Sequence, residues 1–74
     1  MIIKNGQKIK KYLFIDHMGD GFGYTEAGKD EEIIGCIAFR GDHSEAFILH
    51  RRISDGVTLQ TVNPHDIAQI IFDV

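Results

Sequence analysis

Turn signals recur so closely along this 74-residue chain that the apolar segments between them stay short. Asn5-Gly6, Gly19-Asp20-Gly21, Gly41-Asp42-His43-Ser44, Asp55-Gly56 and Asn63-Pro64 punctuate it from end to end. Short segments rich in β-branched and aromatic residues, bounded in this way, read as strands joined by tight turns. A chain that spends most of its residues on strands and turns has little left for a catalytic apparatus. The sequence therefore speaks to shape more than to chemistry.

The individual segments support that reading. Asn-Gly is the strongest short hairpin signal, because a type I′ turn needs two residues that tolerate positive φ. The return from Asn5-Gly6 predicts a long, bent or bulged strand. Ile9, Lys11, Leu13 and Ile15 share one of its faces, and Lys10, Tyr12, Phe14 and Asp16 the other. Tyr24-Thr25 suits a short edge strand. The runs Ile33–Phe39 and Ala46–Leu49 are apolar at consecutive positions, so both faces of their hairpin call for burial. A sheet with one wet face would alternate instead. A barrel wall, a helix or another subunit is expected to cover the second face. Val57–Val62 alternates as a strand. The tail reads two ways. As a helix, it is capped by Asn63 with Pro64 in its first turn and sets Ile67, Ile70, Ile71 and Val74 at helical spacing. The other reading is one helical turn at 64–66 followed by a closing strand, which the β-propensity of Ile70-Ile71-Phe72 favours.

That ending, a strand, a short turn and a final strand, resembles the end of SH3-like and Sm-like small barrels over roughly the last 18 residues. The expected fold is all-β (or β-rich α+β): a small antiparallel SH3-like or Sm-like barrel, or a curved sheet, of five to six strands. A short helical turn near residues 64–66 completes it, in a single domain spanning 1–74. Shape of this kind does not fix function.

Composition narrows the classes. Domains below about 70–80 residues usually need a disulfide, a metal or a partner subunit to supplement the core. Cys36 is the only cysteine, and the four histidines lack paired ligand spacing, so homo-oligomer formation is the expected supplement. A lone cysteine suits a reducing compartment. Residues 1–6 lack the apolar run of a signal peptide, and no segment approaches a bilayer span. These features predict a cytoplasmic protein.

Net charge is −3, and the charge is segregated. Lys4, Lys8, Lys10 and Lys11 stand near the N-terminus, and Asp16, Asp20, Glu26, Asp30, Glu31 and Glu32 follow with Lys29 alone among them. An acidic chain argues against sequence-independent nucleic-acid binding, which depends on clustered positive charge. An Sm-like RNA-binding ring is the weakest of the functional alternatives.

Candidate sites are few. The glycines at 19–23 offer backbone N–H groups to a phosphate but lack a P-loop ending. Asp16–Gly21 fails as a calcium loop, with Met18 and Ala27 at ligand positions. Arg40-Gly41-Asp42 matches an adhesion tripeptide, as three residues often do by chance. Cys36 in an apolar strand reads as an inert thiol. Arg40, His50, Arg51 and Arg52 form the one group with chemical promise, since arginines offer paired donors to phosphate or carboxylate. Tyr12 and Tyr24 are candidates for stacking on a nucleotide base. Asp30, Glu31 and Glu32 are the candidate docking patch for a basic protein partner.

Two functions follow as expectations, neither catalytic and neither requiring a cofactor or metal. The first is a small inhibitor or adaptor that works by protein–protein contact, of the kind mobile genetic elements encode. The second is a homo-oligomeric binder or sponge for a nucleotide or other small anionic ligand.

Overall fold

The computed structural model describes residues 3–15 and 23–73. The glycine stretch and the calcium-like segment fall almost wholly outside the described residues. Among the described residues six strands form one antiparallel sheet: β1 (Lys8–Phe14), β2 (Tyr24–Glu26), β3 (Glu31–Arg40), β4 (His43–Arg52), β5 (Thr58–Val62) and β6 (Ile67–Phe72). Their order is β2-β1-β3-β4-β5, with β6 on β1. Lys8 and Ile9 of β1 pair with β3, and Lys11–Leu13 pair with β2. β2 and β3 therefore lie end to end along one edge of β1, and β6 takes the other edge. The sheet curls into a half-barrel, because β5 pairs with β4 alone.

The predicted ending is realised. Pro64–Asp66 form a 3₁₀ turn, and Asn63 Oδ1 accepts from the backbone N–H of His65 at 3.0 Å. Proline fits there because its missing N–H had no helical partner. β6 then runs back along β1.

Asn5-Gly6 also turns the chain, but not as a type I′ hairpin. Gly6 has φ 81°, whereas among the described residues none other than glycine has positive φ. Positive φ at the second central position alone is the type II signature, and Gln7 N–H closes the turn on Lys4 C=O at 3.1 Å. Among the described residues before the turn, Ile3 and Lys4 are not part of a strand. Ile3 folds into the core, directly over Gly35: a Cβ at Gly35 would stand 2.3 Å from Ile3 Cγ2 and 2.8 Å from Lys4 C=O.

The core comprises Ile3, Ile9, Tyr12, Ile33, Ile48, Val62 and Ile67, with Phe14, Ala27, Ile70 and Phe72 against it. Strict alternation would have separated Ile9 from Tyr12. The register against β6 slips between Ile9 and Lys11, leaving Lys10 as the extra residue. Similar slips leave Ala68 unmatched in β6 and Leu59 unmatched in β5. A bulge adds one residue to one strand, bends it and increases its twist. These three irregularities curl the sheet and move Tyr12 and Phe14 to the inside.

β3 and β4 pair over their whole lengths, Glu31 with Arg52 through Arg40 with His43. Gly41, at φ 61°, begins the tight turn between them, as a type II′ turn requires. The inner face carries Ile33, Gly35, Ile48 and His50, all buried. The outer face carries Ile34, Cys36, Ala38, Phe47 and Leu49, all half-buried. No described element covers that outer face.

Candidate functional site

The basic and acidic groups singled out in the sequence meet at the open end of the β3–β4 hairpin, as opposite rungs of one ladder. The register sets Glu31 against Arg52 and Glu32 against Arg51. Glu32 Oε1 lies 2.6 Å from Arg51 Nε. Glu31 Oε1 lies 2.7 Å from His50 Nε2 and also accepts the Gly28 N–H at 2.9 Å. The Gly28 N–H first, and then His50, hold the Glu31 carboxyl below its ordinary pKa. Asp30 accepts from the Ser54 hydroxyl, and its carbonyl takes the Ile53 N–H at 2.8 Å. Arg52 Nε lies 3.2 Å from Asp55 Oδ1 without the alignment of a hydrogen bond.

Each basic side chain of the expected ligand site thus faces a carboxylate, and each acid of the expected docking patch is engaged internally. Arg40 does not join the group. It pairs with His43 at the turn, at the far end of both strands from Arg51 and Arg52, and lies 3.8 Å from Glu45. The distance follows from the register: nine rungs at about 3.3 Å per residue separate the two ends.

The two tyrosines also part company. Tyr12 is fully buried, with its hydroxyl 3.3 Å from Gln60 Oε1 and its ring edge-on to Phe14 at 5.3 Å. Burial raises the phenol's pKa, offset in part by a hydrogen bond from Thr25. The Tyr12–Gln60 contact links β1 to β5 across the open side of the half-barrel, where no backbone pairing does. Tyr24 is exposed, with Lys11 Nζ 4.5 Å from its ring centroid and its hydroxyl on Gln69. Of the two, only Tyr24 presents a ring to solvent.

Cys36 sits half-buried on the outer face, where desolvation raises its pKa and the nearby Arg51 lowers it less. A thiol so placed is disfavoured as thiolate and hence as nucleophile. Among the described residues no three His, Cys, Asp or Glu side chains converge as metal ligands. No described helix is long and apolar enough to cross a membrane.

The other end of the hairpin has a different character. β1 reaches only Ile33 and Ile34 of β3, and β5 reaches only Ile48–Arg51 of β4. Beyond Ile37, whose N–H is held by Asn5 Oδ1 at 3.1 Å, no third strand joins the ribbon among the described residues. Phe39 stands near its tip with 81% of its surface exposed, beside Arg40 and across from Ser44. The 3₁₀ turn lies beside Ser44, Glu45 and Ala46, leaving a cleft of about 380 Å³ that Asn63, Pro64 and His65 also line. Sequence reading assigned Phe39 to a buried run; the missed signal is that the hairpin is longer than either flanking strand.

No protein-family model, no curated protein and no solved structure matches this chain.

Proposed function

We propose that this chain is a non-catalytic binding protein, an inhibitor or adaptor that works by protein–protein contact through the projecting end of the β3–β4 hairpin. The observation that carries the reading is Phe39: a phenylalanine 81% exposed, on a ribbon that no third strand joins among the described residues. Aromatic side chains and arginines dominate the energetics of protein interfaces, and Arg40 adjoins this ring. The partner is a protein with an apolar pocket that admits the ring.

The internal neutralisation of the charged ladder supports this reading over the small-anion alternative. A nucleotide at Arg51 or Arg52 would have to displace Glu32 or Asp55 from its cation, giving up a charge-assisted contact for each one gained.

The test compares wild type with Phe39→Ala as bait in a lysate of the natural host, followed by affinity measurement on the retained protein. The variant is expected to bind at least about thirtyfold more weakly, the loss of a hot-spot side chain. Its circular dichroism should not change, because the ring is not part of the core. A partner held equally by both proteins, or no partner retained by wild type, overturns the reading.

A further inference from the structure

The outer face of the β3–β4 hairpin carries an independent pattern. Along β3 its residues run Glu32, Ile34, Cys36, Ala38, Arg40; along β4 they run His43, Glu45, Phe47, Leu49, Arg51. On each strand an acid precedes the apolar residues and a base follows them, with His43 at the turn ahead of Glu45. Because the strands are antiparallel, each end of the face carries one charge of each sign. The apolar side chains between are half-buried by one another and covered by no described element.

We infer that a second copy of this chain packs face to face on this surface, forming a two-fold dimer with a β-sandwich interface. A two-fold interface sets a patch against itself, so the patch must be self-complementary. This one is. A two-fold axis along the strands lays β3 over β4 of the second copy, bringing Glu32 over Arg51 and Arg40 beside Glu45. The same operation sets β1 over β5, so that Lys8, opposite Ile34 on this face, meets Thr61, opposite Leu49. Aligned packing of this kind is the common geometry of two sheets meeting face to face.

In the dimer the intrachain pair Glu32–Arg51, 2.6 Å apart, becomes half of a four-charge cluster of alternating sign at one end of the apolar stripe. Arg40 and Glu45 do the same at the other end. The stripe between supplies the hydrophobic area, and the charged ends set its register. Phe39 lies on the opposite face of the ribbon, so Phe39→Ala tests the ribbon contact without altering the dimer face.

The test is sedimentation equilibrium of the purified full chain, with three variants. Wild type is expected to be dimeric. Phe47→Lys, at the centre of the face, should be monomeric with an unchanged circular dichroism spectrum. Two further proteins probe the charged ends: Glu32→Lys with Glu45→Lys makes both ends basic, and Arg40→Glu with Arg51→Glu makes both acidic. Each alone should be monomeric, and an equimolar mixture should restore a dimer containing one of each. That rescue separates lost association from lost folding. A wild type that stays monomeric at high micromolar concentration overturns the inference, and so does a dimeric Phe47→Lys. Acidic and basic variants that each dimerise alone, or fail to associate when mixed, overturn it as well.

Discussion

Gly35 illustrates how one position constrains this fold. It lies in the middle of a strand, where glycine costs stability because it has no side chain to pack. Here the missing side chain makes room for Ile3 and the Lys4 carbonyl, and the Gly35 N–H and C=O bond to Gln7 and Gly6 at 2.8 Å each. The N-terminal segment thus seals the core against β3. Gly35→Ala is expected to destabilise the protein by about 1–3 kcal/mol, the usual cost of overpacking. Chemical denaturation measures it, and the loss should be smaller when Ile3 is already Ala, since the two side chains compete for one space. Full stability of Gly35→Ala would mean that Ile3 does not sit there. In the sequence Gly35 reads only as a small residue in an apolar run; nothing local reveals what approaches it.

At the scale of the element, the charged ladder holds the turn before β3 onto β4. Its pH dependence has a definite sign. The Glu31 carboxyl is stabilised in its ionised form by the Gly28 N–H and His50, so its folded pKa lies below the unfolded one. Such a group adds stability that is fully present above the ordinary value of 4.5 and is lost as pH falls through the lowered folded value. Glu31→Gln should therefore lower the melting temperature at neutral pH. The two melting temperatures should converge only once pH has fallen below the lowered folded value, where both side chains are uncharged. Parallel curves across that range would rule out the carboxylate as the source. The acidic and basic blocks were visible in the sequence as separate patches and suggested separate sites. Only the register, Glu31 against Arg52 and Glu32 against Arg51, makes them partners.

For the whole molecule, the first long strand pairs with the last: Ile9 meets Phe72 and Phe14 meets Ile67. Closing so long a loop precedes any gain from the contacts it brings, and β-topologies rich in distant pairings fold in milliseconds to seconds. Stopped-flow refolding is expected in that range. Microsecond refolding would mean that the β1–β6 pairing forms after the rate-limiting step and is not what limits it. With β5 unpaired to β6, the half-barrel relies on Tyr12 and Gln60 to bridge its open side.

Local chemistry determined much of this architecture. Positive φ falls readily to glycine and proline fixes its own φ, so Gly41-Asp42, Asp55-Gly56 and Asn63-Pro64 located the turns. Residue preference then placed the strands and the 3₁₀ turn at 64–66. The apolar run from Ile33 to Phe39 announced a hairpin with two faces to bury. Tertiary structure decided everything that depends on register. A one-residue slip sends every following side chain to the other face. The extra residues Lys10, Leu59 and Ala68 are such slips, set by how the strands close around Tyr12 rather than by any local preference. The same long-range pairing neutralised the charges that looked available and left Phe39 exposed, because how far β1 and β5 extend along the hairpin is a property of neither strand alone.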